Sequence, residues 1–292
     1  MPKSQIYLVS APDRRAGAKR CFSFIGQKDY TGKQVYVKPN FNTADPAPGS
    51  THNDTLEELL SFVSGASPKK LILGERSGPA AAADVFRQRG IPELCAKYGA
   101  ELLNLEELPA DGWVRFERGD LHWQGGYEIP RALSESDVVV ATCCLKTHGF
   151  GGVYSNSLKL AVGITPKDFM KLHTPDIRFK IAELNLAYTP DFVLSDAVEV
   201  FTDGGPMDGT RNRAGLMTIG SDRVALDAVG VAILKMLGSN SDIMNTPIWE
   251  QEQIARAVEL GLGASSPDEI ELVTDDEESE AVAEKVRAVL RA

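Results

Sequence analysis

The sequence predicts an α/β fold, a mainly parallel sheet with helices on both faces, built as one unit or as two lobes. Three observations carry this. Short apolar runs rich in β-branched residues alternate with segments of helical spacing through most of the chain. Several of those runs end in loops that combine Gly, Pro or Asn with a charged residue. One stretch, 112–129, breaks the rhythm by interleaving Trp113, Phe116, His122, Trp123 and Tyr127 with glycine and charge. It is expected to form a small antiparallel element.

In order, residues 6–9 read as a first strand and 13–26 as a helix. Val35-Tyr36-Val37 is a second strand, stopped by Pro39. Leu56, Leu59, Leu60 and Val63 fall at helical spacing in 54–63, with Asn53 or Asp54 as the cap. Residues 71–73 form a third strand, 79–86 a helix with Pro79 in its first turn, and 102–103 a fourth strand. The run 137–142 is short, β-branched and flanked by polar residues, which predicts a buried strand. Segment 154–162 looks helical, and 177–188 reads as an amphipathic helix. Strands follow at 192–194 and 216–219. The helix 222–237 is expected to turn Val224, Leu226, Val229, Ala232 and Ile233 inward. Helices at 249–260 and 280–290 enclose a last strand, 270–273. The chain reads as a single unit over 1–292, and the aromatic stretch marks the division if there are lobes, 1–130 and 131–292.

With 43% apolar and 25% charged residues, the composition is that of an ordinary soluble protein. No run approaches the roughly 20 apolar residues that span a bilayer, so no membrane partner is expected. The N-terminal Met1-Pro2-Lys3-Ser4-Gln5 lacks a signal-peptide pattern, which makes a cytoplasmic location the expectation. The net charge of −10, much of it within 268–284, argues against nucleic acid as a partner. The cysteines Cys21, Cys95, Cys143 and Cys144 form no Cys-x-x-Cys pair and no ferredoxin-type run. Vicinal Cys143 and Cys144 read as small apolar filling at a strand end, with metal ligation or redox chemistry as the alternative.

Chemistry concentrates after the 137–142 strand. Lys146 and His148 stand two apart, so on extended backbone they point the same way. Such a pair attracts an anionic group, and a histidine moves protons near neutral pH. Lys159 sits among apolar and small residues, which lowers a lysine's pKa and makes it a base or nucleophile. His173 follows downstream. These four, Lys146, His148, Lys159 and His173, are the candidate catalytic residues. Loss of Lys146 is expected to cost ligand binding and to leave the melting temperature nearly unchanged or slightly raised.

Lys38 and Asn40 end the second strand in a polar loop suited to a carboxylate or phosphate. His52 reads as a surface or capping residue, or as a member of the same site. The Gly74–Pro79 connection carries a weak anion-binding signal. Asp203 and Asp208 lie in a Gly- and Pro-rich turn, read as structural or substrate-facing rather than as a calcium loop. Lys38, Asn40, Asp203 and Asp208 are therefore the candidate substrate-binding residues. Counter-charges for the lysines are expected from Asp196, Asp203, Asp227 or a bound anion.

The ordered motifs Val37-Lys38-Pro39-Asn40, Gly74-Glu75-x-Ser77-Gly78, Leu145-Lys146-Thr147-His148-Gly149, Ser157-Leu158-Lys159-Leu160-Ala161-Val162-Gly163, Asp196-Ala197, Asp203-Gly204-Gly205-Pro206 and Gly220-Ser221-Asp222-x-Val224-Ala225-Leu226-Asp227-Ala228 resemble the family called domain of unknown function 362, over about residues 35–235. Many members carry a fused ferredoxin module, which implies an iron–sulfur association; this chain has no such cysteine run. A partial resemblance links Gly151-Gly152, Lys159, Gly163 and His173 to the nickel-pincer lactate racemase family. It implies that Lys159 anchors a cofactor or substrate, and that His148 or His173 transfers a proton.

Two functions are in view. One is an enzyme acting on a small anionic molecule, such as a hydroxy or keto acid, by lysine and histidine acid–base chemistry. The other is a metal- or cofactor-holding redox-accessory protein with a redox partner protein. The identity of any cofactor or metal is open at this point.

Overall fold

The structure, a computed structural model, describes residues 3–292; Met1 and Pro2, on which part of the signal-peptide reading falls, and the side chain of Phe169 lie outside the described residues. The elements are β1 (Ser4–Ser10), α1 (Arg14–Ile25), β2 (Gln34–Lys38), α2 (Asn53–Gly65), β3 (Lys70–Glu75), α3 (Ala82–Arg89), α4 (Ile91–Lys97) and β4 (Ala100–Asn104). Next come β5 (Trp113–Phe116), β6 (Tyr127–Pro130), α5 (Arg131–Ser134), β7 (Val138–Cys144), β8 (Lys146–Thr147), β9 (Tyr154–Ser155), α6 (Phe169–Leu172) and α7 (Ile177–Leu184). The chain continues with β10 (Phe192–Gly204), β11 (Gly209–Gly220), α8 (Arg223–Leu237), α9 (Ser241–Asn245), α10 (Glu252–Glu259), β12 (Ile270–Val273) and α11 (Glu277–Leu290).

Eight strands form one sheet in the order β12-β1-β11-β10-β7-β2-β3-β4. Every neighbouring pair is parallel except the two that involve β11, so β11 alone runs against the rest. The predicted mainly parallel sheet is present. The stretch read as a small antiparallel element forms the antiparallel pair β5–β6, outside the main sheet. Alternation along the strands sends Val35, Val37, Leu71, Leu73 and Val140 to one face, where α1, α2, α3 and α4 cover them. Tyr36, Ile72 and Val139 face the opposite way, toward β5–β6 and α7. Ala141, Cys143 and Val193 share that second face and pack under α8, α10 and α11. No helix among the described residues is long and apolar enough to cross a membrane.

Local expectations need correction at several points. The cap of α2 is His52, whose Nδ1 accepts from the Asp54 N–H at 3.1 Å; neither Asn53 nor Asp54 takes that role. Pro79 lies ahead of α3, which starts at Ala82. Segment 154–162 is no single helix: it begins as β9 and ends inside a 3-10 turn, Lys159–Ile164. The helix at 177 stops at Leu184, with a 3-10 turn after it. Helix α8 has no outer face until its last residues, because Arg223 through Leu234 are all buried. Its two buried charges are satisfied. Arg223 donates to Asn185 Oδ1 and to the carbonyls of Asn185 and Tyr188, and Asp227 accepts from Tyr154, Ser157, Leu158 and Gln253.

Candidate functional site

Parallel strands β2, β3 and β7 end side by side, and their last residues are Lys38, Glu75 and Cys144. Ligands of open α/β sheets sit at this edge. A cavity of about 70 Å³ lies there, lined among others by Lys38, Asn40, Asn42, Glu75, Arg76, Lys146, His148 and Lys159. It has room for a few waters or one molecule of a few non-hydrogen atoms, far less than a drug-sized ligand pocket of roughly 300–1,000 Å³.

Lys38 and Glu75 form the floor. Lys38 Nζ donates to Glu75 Oε2 at 2.7 Å and to the Pro39 carbonyl at 2.6 Å. Glu75 also accepts from the Phe41 and Arg76 N–H groups. Burial pulls the Lys38 pKa down and pushes the Glu75 carboxyl up, and the pairing opposes both shifts. Gly163 makes this floor possible: a methyl there would overlap Glu75 Oε1 and stand 2.6 Å from Lys38 Nζ.

Arg76 makes no ion pair among the described residues, although Glu75 and Glu106 are near enough to favour its charge. Its guanidinium donates to the carbonyls of Ser77, Val162 and Thr165 and to Thr165 Oγ1, which pins the far end of the turn that carries Lys159. Beside it, Asn42 Nδ2 is buried without a hydrogen-bond partner among the described residues. Asn40 is a scaffold as well as a wall: its side chain donates to the Gly49 carbonyl at 3.2 Å and its N–H to Thr51 Oγ1.

Beyond Cys144 the chain leaves the sheet into the β8–β9 ribbon, which places Lys146 and His148 on the cavity. Lys146 is 1% exposed, and its Nζ donates to the Pro48 and Gly49 carbonyls at 2.7 and 2.9 Å. Burial lowers its pKa. The lysine is therefore part of the packing, held between the cavity and the Pro48–Gly49 loop. His148 is half-buried; burial first, then Lys159 and Lys146, push its pKa well below the ordinary value. The Phe150 N–H donates to His148 Nδ1 at 3.2 Å. A neutral imidazole that accepts at Nδ1 carries its proton on Nε2, so His148 is a neutral donor.

Lys159 differs from its neighbours. Among the described residues it has no hydrogen-bond or ion-pair partner, and it is half-buried on the cavity wall. Burial, then Lys146 and Arg76, bring its pKa from 10.5 to about 7. Gly152 lets the chain close on it: a methyl there would stand 3.0 Å from Lys159 Cε and 3.5 Å from His148 Nδ1.

The structure thus brings Lys38, Asn40, Lys146, His148 and Lys159 to one cavity and leaves the other candidates apart. His173 is exposed and does not line it, although its charge is felt at His148. Asp203 and Asp208 are exposed where β10 turns into β11, and Asp208 serves the turn by accepting from the Gly209 N–H. Nor do Asp196 and Asp227 pair with lysines. Asp196 holds Arg14 at 2.8 Å and Thr55, while Asp227 is satisfied by the donors named above. The counter-charge is Glu75. It and Arg76 went unassigned because their motif read only as a helix-start loop. The available signal was a lone carboxylate ending strand 70–75, one residue past the level of Lys38 at the end of its parallel neighbour. Cys143 and Cys144 line the cavity as buried thiols with raised pKa values, the dominant cause being burial. Among the described residues no three His, Cys, Asp or Glu side chains cluster as metal ligands would.

Fold and site together define an α/β protein with a small, cation-lined cavity at the strand ends. Residues 35–232 match the family model described as "Domain of unknown function (DUF362)", and the chain belongs to that family. No curated protein is found to match it. Among solved structures the chain is similar to the lactate racemase apoprotein from Thermoanaerobacterium thermosaccharolyticum, at 13% identity and a TM-score of 0.47, over 98% of this chain and 86% of that one. A likeness of that degree says nothing about activity. A pincer-type nickel cofactor does not fit the residues present, since the cavity holds only a few atoms and His173 stands outside it.

Proposed function

We propose that the cavity binds a small anion, a carboxylate of a few carbons or an inorganic oxyanion, and that Lys159 and His148 move or steady a proton on it. The carrying observation is the charge balance. Lys38, Arg76, Lys146 and Lys159 line a cavity with one carboxylate, Glu75, and that carboxylate is committed to Lys38. An anion supplies the missing charge in a site largely shielded from screening. Unspent donors support the same reading: the third N–H of Lys146 and the amide of Asn42 are free to receive a carboxylate.

The roles follow from the two pKa shifts. Near pH 7 a large part of Lys159 is the free amine, which makes it the base. Neutral His148 with its proton on Nε2 is the group that donates to a carbonyl or developing oxyanion. Size selects hydroxy or keto acids of two to four carbons over sugars and nucleotides. The test has two readouts. Small anions should raise the melting temperature of the wild type and not of Lys159→Met. In D2O, the carbon-bound hydrogen next to the carboxylate should exchange when followed by NMR. Identical anion profiles for the two proteins overturn the binding reading, and stabilisation without exchange removes the catalytic one.

A further inference from the structure

Lys146 and Lys38 spend their protons on carbonyls or a carboxylate, whereas Lys159 has no acceptor among the described residues. An unpartnered amine on a cavity wall needs a different purpose. Gly152 lies close against the Cδ–Cε end of its stem, and the far end of its turn is pinned by Arg76. His148 lies next to it across the same glycine. We infer that Lys159 is a nucleophile that forms an imine with a small oxo acid held in this cavity by Lys146 and Asn42. The inference rests on the small-anion reading of the cavity and narrows its ligand to acids carrying an aldehyde or ketone.

The step balances without a further reactant. The lone pair of the neutral Lys159 amine attacks the carbonyl carbon, and the C=O π pair moves to oxygen. That oxygen takes the proton on His148 Nε2 as the nitrogen returns one to the ring, leaving a neutral carbinolamine and a neutral His148. A proton from solvent then reaches the carbinolamine hydroxyl, and water leaves while the nitrogen lone pair forms C=N, giving the protonated imine. The imine nitrogen is more easily held as a cation beside a bound carboxylate than the bare ammonium is among Lys146 and Arg76. Lysines desolvated and set near other cations favour the amine that this addition needs.

Glyoxylate is the probe, because it is the smallest oxo acid and suits a cavity of about 70 Å³. Full-length protein is incubated with glyoxylate and cyanoborohydride, then examined by intact mass and peptide mapping. The expected result is one added carboxymethyl group on Lys159, formed at least about tenfold faster than on the exposed Lys19 and Lys171, which are 67% and 77% accessible. Acetate, which has no aldehyde or ketone group, should slow the reaction by occupying the cavity. Lys159→Arg should abolish the adduct; if that variant does not fold, the site mapped on wild type decides alone. Labelling confined to exposed lysines, or no labelling, overturns the imine. Thermal stabilisation by acetate then tells the two claims apart: if it persists, the anion cavity stands without the covalent step, and if it is absent too, both fall.

Discussion

Lys38 and Glu75, 37 residues apart in sequence, meet as a buried ion pair at 2.7 Å, with side chains 1% and 2% exposed. Two adjacent parallel strands end together there, so the pair ties the cavity to the sheet's geometry. A buried pair of this kind stabilises little against an apolar pair, yet losing one partner leaves the other charged and unpaired. Lys38→Met is expected to destabilise by about 3–5 kcal/mol. Lys38→Met/Glu75→Gln should recover more than half of that, since glutamine keeps an oxygen for the Phe41 and Arg76 N–H groups. Urea denaturation of the wild type and both variants checks this, and additive losses would contradict it.

Two glycines predict different outcomes for the same added methyl. At Gly163 the methyl meets the immobile Lys38–Glu75 pair, so Gly163→Ala should cost about 1–3 kcal/mol. At Gly152 it meets the flexible end of Lys159, which can swing aside. Gly152→Ala should therefore keep nearly the full melting temperature and lose anion-dependent stabilisation. Equal stability losses in the two variants would show that Lys159 is as tightly packed as the pair.

The lowered pKa of Lys159 sets a pH dependence whose sign is fixed. Its folded-state value, about 7, lies below the ordinary 10.5. Between those values the unfolded chain binds a proton that the folded chain releases. Stability from this group thus rises with pH across the window, by up to about 1.4 kcal/mol per unit, and its cost is fully present below pH 7. Lys159→Met should be more stable than wild type at pH 6.5, with the difference shrinking toward pH 10. Anion affinity should move the other way and fall as pH rises above 7, because a bound anion keeps Lys159 charged. Denaturation curves and anion titrations over that range test both.

Lys146→Met removes the charge and two hydrogen bonds to the loop at Pro48 and Gly49. Binding of a small carboxylate should weaken tenfold or more, as for a lost charge-assisted bond of about 1.5–3 kcal/mol. Unlike a surface lysine, it should also lower the melting temperature, because the two carbonyls lose their donor. Unchanged melting with unchanged anion response would place Lys146 outside the site.

Much of this protein was legible in local sequence. The short apolar runs at 35–37, 71–73 and 138–140 are strands, because their side chains suit a pleat buried on both faces. The polar residues that follow such runs emerge at the sheet's carboxyl edge, which is why Lys38 and Lys146 could be assigned to one region; Lys159 reaches it from the turn after β9. Helix α8 was misread as amphipathic, since its buried Arg223 and Asp227 look like an outer face until their partners are known.

Partner choice belongs to the tertiary structure. Which carboxylate meets Lys38, which carbonyls absorb Lys146, and why Asp196 goes to Arg14 depend on contacts 37, 98 and 182 residues apart. Asp203 and Asp208 carry the same chemistry as Glu75, but the β10–β11 turn holds them in solvent while strand β3 delivers Glu75 to the cavity. Sequence by itself determined the element types and the residue types at the strand ends, because propensity and pleat alternation act over a few residues. Only the packed sheet decided which charges neutralise one another and left Lys159 without a hydrogen-bond or ion-pair partner among the described residues, because burial and distance are properties of strands brought side by side.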